Sequence, residues 1–542
     1  MHRNLIAIID DGINNAVFDS SKIKYNIEIT EGLDVVSNVN NEFYNHSTTC
    51  AAIINEYAPE CVFASIKVLN ESAKGLISQL IKSLEWCMEN QVRLINLSLG
   101  TINFRDFDSL RNTVNRAYNK NCIIIAACHN SNIVSYPAYL DNVIGVNCDH
   151  SKSLKNCEFI FHENPLDGID ITASGLELNF PEAEFYPANS FAAPRVTALV
   201  HNMISVNPGM SFFEVKKELY KKAKYTVQQV NQVYFNITRK IDWVENGFFI
   251  SIETGNSSFG KIRLPKFIKK RVSFNIKTFS DKVLQTIEEE INKSIDSLET
   301  IIVFIDHDLL FKEKDEKALI SIMLKWNKNF IYLYDRSNLK SFPITISDKK
   351  VWFPFYKPGE FINQDNLADN KNEVPIILIN DFTESKNISK LVQLINLIRN
   401  DGYHTVVLSE FTLSILFGFE YLPCSEYSES NENLYYYIKK ITRAFDPDLL
   451  IVVANSKCPS IDYVRVLKED IEPDITINLF QSQDEIKPTD KNSDKKVIDI
   501  FTEKHYKQTG LKENNTFLIH DIKGIFQYII NAFESDIELS TR

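Results

Sequence analysis

Residues 5–12 read Leu-Ile-Ala-Ile-Ile-Asp-Asp-Gly, an apolar run that ends at two carboxylates and a glycine. An uninterrupted apolar run of this length is typical of a strand buried on both faces of a parallel sheet. A carboxylate at the carboxyl end of such a strand lies where open α/β sheets place their sites, which makes Asp10 a candidate functional residue. Taken alone, the motif is equally compatible with an ordinary Asp-Gly turn after a strand.

Segments downstream of this run alternate between buried strands and helices of 3.6-residue periodicity. The strands are predicted at 62–68, 94–99, 123–127 and 142–147, and the helices at 77–90, 192–205 and 213–223. Strand–helix alternation predicts a doubly wound parallel sheet, an α/β fold, for about the first 240 residues.

Length and composition set the broad class of the protein. A chain of 542 residues is too long for one hydrophobic core, so two to four domains are expected. The net charge of −12 argues against general binding to nucleic acid or to an anionic membrane, and no apolar run is long enough to span a bilayer. Nine cysteines without Cys-x-x-Cys spacing indicate reduced thiols rather than a disulfide framework or a zinc site.

The N-terminus has no recognisable secretion signal, because the apolar run at 5–9 is too short and no small-residue cleavage site follows it. We therefore expect the mature chain to begin at Met1 and to stay in the cytoplasm. A domain boundary is predicted near 241–256, where helical periodicity gives way to aromatic-rich strands. Two β-α-β patterns follow, which predicts a small α/β domain with a linker over 241–372 and a further α/β domain over 373–542. The polar segment 365–373 is predicted to be the linker. The charged segment 482–496 is predicted to be an exposed loop.

Three further motifs contain residues that could do chemistry. His46 opens a stretch with the character of a helix start, Ser190 begins a helix with a proline in its predicted first turn, and Asn130 follows a buried strand. Each has an ordinary structural explanation when taken alone: a histidine near an N-cap, an N-cap serine and a turn residue. A serine at a helix N-terminus is also well placed for nucleophilic catalysis, because the free N–H groups favour developing negative charge.

Taken together, these motifs resemble the subtilisin-like serine proteases. Aspartate, histidine and serine occur in the order that this family uses, which differs from the orders in α/β-hydrolases and chymotrypsin. The resemblance covers about residues 1–225 and rests mainly on the segments 6–13, 46–51, 95–100, 136–146 and 190–194. It implies peptide-bond hydrolysis by Asp10, His46 and Ser190, without a cofactor.

The resemblance also implies a set of substrate contacts. Asn130 would donate a hydrogen bond to the oxyanion, and His129 would lie beside the primary specificity pocket. The segment 95–100 would be an edge strand whose residues Ser98, Leu99 and Gly100 bind substrate as an added strand.

Several positions depart from the family pattern. Ser47 replaces the glycine after the histidine, Asn189 replaces the threonine before the nucleophile, and His129 replaces the glycine before the oxyanion asparagine. An N-terminal propeptide and the usual calcium loops are not recognisable, and no metal site is predicted. These departures indicate a specialised enzyme rather than a broad degradative one.

The second half of the chain contains a segment, 375–387, that lies between a strand and a helix where a phosphate loop would lie. The glycines of such a loop are absent and Lys386 stands alone, so nucleotide binding is not expected. Residues 373–480 resemble proteins that accompany bacteriocin or modified-peptide maturation in clostridia; a generic α/β scaffold is the alternative.

Together, the two halves suggest an intracellular protease that removes the leader from a ribosomally made precursor peptide, with other peptide-maturation proteins as partners. A general cytoplasmic subtilase and an inactive subtilase fold that acts as a binding module are the alternatives.

Overall fold

The computed structural model describes residues 5–37, 45–131, 133–155, 157–163, 165–175, 187–227, 236–254, 262–293, 297–306, 308–309, 312–335, 349–354, 374–383, 385–422, 431–455, 472–481, 496–502 and 516–540. These residues fall into two compact units, the first ending at Trp243 and the second beginning at Val244. No helix in the described part of the chain is long and apolar enough to cross a membrane.

The first unit is built on a ten-stranded sheet. Its strands are β1 (Leu5–Asp10), β2 (Ile23–Ile29), β3 (Val35–Ser37), β4 (Val62–Lys67), β5 (Leu94–Leu97), β6 (Ile123–Ala127), β7 (Ile144–Cys148), β8 (Phe159–His162), β9 (Ile171–Ala173) and β10 (Tyr225–Val227). Their spatial order is β10-β8-β9-β7-β6-β5-β1-β4-β2-β3. The seven strands from β9 to β2 run parallel. At the ends of the sheet, β3 pairs antiparallel with β2, and β8 pairs antiparallel with β9 and parallel with β10.

The order of the strands creates a crevice at β1. The chain places β4 on one side of β1 and β5 on the other, so the direction of winding reverses there. In open α/β sheets such a reversal leaves a crevice beyond the carboxyl ends of the strands. Asp10, the last residue of β1, lies at this edge of the sheet.

Five helices accompany the first sheet: α1 (His46–Tyr57), α2 (Ile77–Glu89), α3 (Phe107–Asn119), α4 (Asn189–Val206) and α5 (Phe212–Lys222), with 3₁₀ turns at Ser20–Lys22 and Phe104–Asp106. α1 and α4 pack on each other, and one apolar core joins them to strand residues such as Ile8 and Ile125. α2 and α3 form a second packed pair, and α2 contacts β1 and β2. All six residues of β1 are buried, as expected for a strand covered on both faces, and the predicted doubly wound α/β fold is confirmed.

The second unit contains two all-parallel sheets. The first has β11 (Gly247–Glu253), β12 (Ile268–Asn275), β13 (Thr300–Ile305), β14 (Asn329–Leu333) and β15 (Val351–Trp352), in the order β12-β11-β13-β14-β15. The second has β16 (Ile376–Asp381), β17 (Thr405–Ser409), β18 (Glu420–Tyr421), β19 (Leu449–Asn455), β20 (Ile475–Phe480), β21 (Lys496–Phe501) and β22 (Thr516–Leu518), in the order β18-β17-β19-β16-β20-β21-β22.

The described helices of this unit are α6 (Asp281–Asn292), α7 (Glu313–Lys325), α8 (Ile388–Asn400), α9 (Asn431–Phe445) and α10 (Ile522–Ser540), with a 3₁₀ helix at Thr412–Phe417. A described helix separates β12 from β13, β13 from β14, β16 from β17 and β18 from β19, and such strand–helix alternation favours parallel pairing.

The structure corrects three sequence-based expectations. The segment predicted as an edge strand contains β5, which pairs with β1 and with β6 and is therefore an interior strand. The helix predicted to start at Ser190 starts at Asn189, so Pro194 is its sixth residue and lies beyond the first turn. Lys496, assigned to an exposed loop, begins β21; residues 482–495 of that predicted loop, and the predicted linker 365–373, lie outside the described residues.

Candidate active site

Asp10 ends β1 as a buried carboxylate, 2% exposed. Its Oδ1 accepts the main-chain N–H of Asp11 at 2.9 Å, and its Oδ2 lies 2.7 Å from Nδ1 of His46. Burial raises the pKa of the Asp10 carboxyl, and the charge and hydrogen bond of His46 oppose that rise. The side chain is therefore positioned by bonds on both oxygens before any substrate arrives.

His46 is the first residue of α1, and the start of this helix is held by carboxyl and amide groups. The Asp11 carboxylate accepts the main-chain N–H groups of His46 (3.1 Å) and Ser47 (2.8 Å), while Asn45 caps the helix by accepting from Thr48. An anion at a helix N-terminus satisfies free N–H groups and interacts favourably with the helix dipole. These contacts fix the backbone from which the His46 ring projects.

Ser47 occupies a position where the family has glycine, and its hydroxyl has a defined use. Its Oγ accepts the main-chain N–H of Gly12 at 3.0 Å, and Thr48 Oγ1 accepts that of Asn14 at 2.9 Å. Gly12 has a φ of +89°, a conformation that favours glycine. The departure from the family pattern thus ties the turn after Asp10 to the helix that carries His46.

The imidazole of His46 is bonded on both sides. Nδ1 faces Asp10, and Nε2 lies 3.0 Å from Oγ of Ser190. The ring stacks on Phe191 with centroids 5.2 Å apart, and the side chain is 30% exposed. The structure therefore brings Asp10, His46 and Ser190 together from three separate parts of the sequence.

Ser190 is the second residue of α4, and Pro194 affects the backbone at this point. Proline has no N–H, so the carbonyl of Ser190, four residues earlier, has no i→i−4 partner in the helix. The Ser98 hydroxyl donates to this carbonyl at 2.9 Å. Ser98, predicted as a substrate contact, thus uses its side chain to hold the helix turn that carries Ser190.

Asn130 lies three residues beyond β6 and has an exposed side chain. Its Oδ1 accepts the main-chain N–H of Asn189 at 3.2 Å, so its Nδ2 group is the part of the amide that Asn189 does not engage. The preceding residue, His129, is also exposed, and its main-chain N–H donates to Oγ of Ser135 at 2.9 Å. Both residues lie at the carboxyl end of the strand beside β5.

The segment 98–100 continues from β5 past the edge of the sheet. Thr101 forms an isolated antiparallel bridge with Tyr136, and a Cβ on Gly100 would lie 2.8 Å from the Tyr136 carbonyl oxygen. A side chain at position 100 would therefore clash with the Tyr136 backbone, so this position requires glycine. Within the described part of the chain, the backbone groups of Leu99 and Gly100 make no hydrogen bonds. They are therefore free to bond the backbone of an extended peptide.

Cys50 is a neighbour of the site that its motif did not single out. It lies one turn after His46, buried, with Sγ 3.8 Å from Nδ1 of His46 and 3.4 Å from Oγ of Ser98. Asp10, His46 and Cys50 are the group of described residues whose donor atoms, all within 4.8 Å of one another, could share a metal ion.

The pKa of His46 is set by opposing effects. Burial would lower this pKa, but the neighbouring Cys50 and Asp10 raise it by more, so the net shift is upward.

The segment in the second unit that resembles a phosphate loop is occupied by a side chain of the protein. Oδ1 of Asp381 accepts the main-chain N–H and the hydroxyl of Thr383, both at 2.7 Å, and Oδ2 accepts the N–H of Ser385 at 3.0 Å. A phosphate would need N–H groups of this kind. The Asp381 carboxylate takes these groups and would repel a second anion.

Two further contacts of the site were missed by sequence reasoning. The sequence pattern indicates only a turn at Asp11, whose carboxylate in fact accepts N–H groups at the start of α1, and it gives no role for Asn189. The adjacent pair of carboxylates was a usable signal for Asp11. No local signal identifies Asn189, because its partners are 41 to 61 residues away in the chain.

Comparison with known proteins finds similarity in the first part of the chain. The subtilase family model matches residues 2–237. Subtilisin DY of Bacillus licheniformis is 28% identical over 240 residues, covering 40% of this chain and 82% of its own; the minor extracellular protease Epr of Bacillus subtilis (strain 168) is 25% identical over 234 residues, covering 40% and 34%. A solved lanthipeptide protease aligns with 41% of this chain and 80% of its own at 17% identity and a TM-score of 0.34. The part of the chain that carries Asp10, His46 and Ser190 is therefore similar to the subtilases, and this similarity supports a serine-type endopeptidase.

Proposed function

We propose that Asp10, His46 and Ser190 form the catalytic triad of this endopeptidase, with Asn130 as oxyanion donor, and that the enzyme removes leaders from ribosomally made precursor peptides in the cytoplasm. The observation that carries the catalytic assignment is the continuous series of hydrogen bonds from Asp10 through both nitrogens of His46 to Ser190. A ring bonded in this way can accept a proton on one side while the carboxylate stabilises the resulting charge on the other.

In the first step, Nε2 of His46 takes the hydroxyl proton as Oγ of Ser190 attacks the peptide carbonyl. Asp10 holds Nδ1–H and so selects the tautomer with a free lone pair on Nε2. A tetrahedral intermediate forms, and its oxyanion accepts hydrogen bonds from Nδ2 of Asn130 and from the main-chain N–H of Ser190. His46 then gives the proton to the leaving amine, and water hydrolyses the acyl-enzyme by the same route.

Substrate binds in this proposal as an extended segment beside residues 98–100. Main-chain hydrogen bonds to a peptide are insensitive to side-chain identity, so this segment supplies affinity more than selectivity. His129 replaces a glycine of the subtilisin-like proteases. Its ring therefore restricts which substrate side chains fit next to the cleaved bond.

Leader removal is supported by the second unit and by its resemblance to peptide-maturation proteins. About 300 residues lie beyond the protease domain, and the described site lies within the first unit. Binding energy from remote parts of a substrate can be used to accelerate its cleavage, which restricts an enzyme to long substrates that make those contacts.

The catalytic assignment is tested with a fluorophosphonate probe and a peptide substrate. Ser190→Ala should prevent labelling and lower kcat by a factor on the order of 10⁶, the loss known for removal of the subtilisin nucleophile. Ser205→Ala is the matched control, because this serine lies on the same helix and donates to the His201 carbonyl. Labelling or normal turnover by Ser190→Ala would refute the assignment.

Leader removal is tested separately by profiling cleavage of proteome-derived peptides against candidate precursors. A strong preference in kcat/KM for one precursor at its leader boundary supports the proposal. Equal cleavage of many unrelated peptides would indicate a general protease instead, and an enzyme that is never labelled would indicate a binding module.

A further inference from the structure

We propose that the side chain of Asn189 is a positioning residue that holds Asn130 in place for the oxyanion. The inference rests on the proposed roles of Ser190 and Asn130. Asn189 is the first residue of α4 and is fully buried, so it does not touch substrate. Its amide connects the start of this helix to the ends of the two strands beside it.

The side-chain amide of Asn189 is bonded at both ends. Nδ2 donates to the His129 carbonyl at 2.9 Å and approaches Cys128, with its Sγ at 3.0 Å and its carbonyl oxygen at 3.4 Å. Oδ1 accepts the main-chain N–H of Cys148 at 2.7 Å. The side chain therefore joins the segment after β6 to the end of β7, and does so without water-exposed atoms.

The main chain of Asn189 makes the link to the oxyanion donor. Its N–H donates to Oδ1 of Asn130, which sets the direction of the Asn130 amide. The hydrogen bond from the Asn189 N–H to Asn130 persists only if the distance between the start of α4 and the segment 128–130 stays constant. The Asn189 side chain thus bonds both the 128–129 carbonyls and the end of β7.

Packing around the link leaves little room for compensation. A Cβ on Gly175 would lie 2.5 Å from Cβ of Cys148 and 2.9 Å from the Ala188 carbonyl oxygen, so the backbones approach closely here. A smaller side chain at 189 would leave the main-chain N–H of Cys148 and the His129 carbonyl without their bonds to the Asn189 amide. Such groups are costly to bury, so we expect the segment 128–130 to move toward other partners and carry Asn130 with it.

A double-mutant cycle tests the inference in the full chain, with kcat and KM measured on one peptide. Asn130→Ala should lower kcat about 10²- to 10³-fold. Asn189→Ala should lower kcat about 10-fold or more with KM nearly unchanged, since displacement of a donor by about 1 Å is costly in the transition state. In the Asn130→Ala background, Asn189→Ala should lower kcat by less than about threefold, because the group that it positions is already absent.

Equal losses from Asn189→Ala in both backgrounds would overturn the inference, because they would show a general structural effect. An unchanged kcat in the Asn189→Ala variant would also overturn the inference. Asn142→Ala is the matched control: this buried asparagine donates to Asn115, away from the site, and its loss should lower stability without lowering kcat.

Folding of each variant is checked by thermal unfolding. If Asn189→Ala does not fold, the same cycle is measured with Asn189→Thr, which replaces the amide by a single, shorter hydroxyl donor. Fluorophosphonate labelling of the wild type separates the two proposals. An unlabelled wild type defeats the proposed function, whereas a labelled wild type with an additive cycle defeats only the role of Asn189.

Discussion

The two nitrogens of His46 have different surroundings, and this difference sets how the site responds to pH. Nδ1 faces the buried Asp10 carboxylate and the sulfur of Cys50, whereas Nε2 faces Ser190. Burial of the ring favours the neutral form and its two Nδ1 neighbours favour the charged form, with a net rise in the pKa of His46. A general base is active only when it is deprotonated, so a raised pKa places the rise of activity at higher pH.

The first prediction follows from this balance. The midpoint of the acid limb of kcat/KM should lie above 6.5, the ordinary pKa of histidine. Cys50→Ala removes one of the groups that raise the pKa, so the midpoint should move to lower pH while the fold is kept. Cys61→Ala, a buried cysteine with no recorded contact to His46, is the control and should leave the midpoint in place. An upward shift in Cys50→Ala would contradict the assigned direction.

At the scale of elements, the loop after β7 shows how a short segment is held by one carboxylate. Asp149 accepts from the main-chain N–H groups of Ser151 and Leu154 and from the hydroxyls of Ser151 and Ser153. Burial alone would raise the pKa of Asp149, but these hydrogen bonds lower it to about 2. The loop leads into β8 and so supports one side of the sheet that carries the site.

The second prediction concerns the stability that this carboxylate supplies. A carboxyl whose pKa is depressed in the folded state stabilises the fold above its unfolded pKa of 3.8, and the contribution disappears as the pH falls toward 2. Asp149→Asn should therefore lower the free energy of unfolding by about 2 kcal/mol at pH 7, from roughly 1.4 kcal/mol per pKa unit. Denaturant unfolding at pH 7 and near pH 2 measures it. A difference from wild type that stays the same at both pH values would show that the ionised carboxylate is not its source.

At the scale of the whole molecule, the described site belongs to the first unit. The last residues of that unit are joined to its body, because Asn115 donates to the Asp242 carbonyl at 2.9 Å and Asp242 accepts the main-chain N–H of Asp141 at 3.1 Å. A chain that ends after Trp243 therefore keeps these two contacts.

The third prediction is that this shortened chain still reacts with a fluorophosphonate but loses most of its preference for the precursor over short peptides. The reason is that the second unit would supply binding to the leader and not the chemistry. Comparison of kcat/KM for precursor and short peptide, in the full and shortened chains, measures the effect. A folded, shortened enzyme that processes the precursor at an unchanged kcat/KM would refute the role given to the second unit.

The sequence alone determined the parallel α/β fold of the first unit and the identity of Asp10, His46 and Ser190 as site candidates. These features are encoded locally: apolar runs specify β1, β4 and β6, Asp10 ends such a run, and His46 and Ser190 lie at the starts of helices. Strands β2, β3 and β8–β10 were not predicted: β3, β9 and β10 have only three residues each, and β2 and β8 lack the continuous apolar run that marked the buried strands.

Only the tertiary structure decided how the site is held together. The interior position of β5, the Ser98 bond to the Ser190 carbonyl and the contacts of Asn189 all join residues that are distant in sequence. A hydrogen bond depends on distance and direction within a few tenths of an ångström, and such geometry arises when packed elements meet. Residue order therefore indicates which groups could react, whereas the packing of α1 and α4 on the sheet determines that they meet.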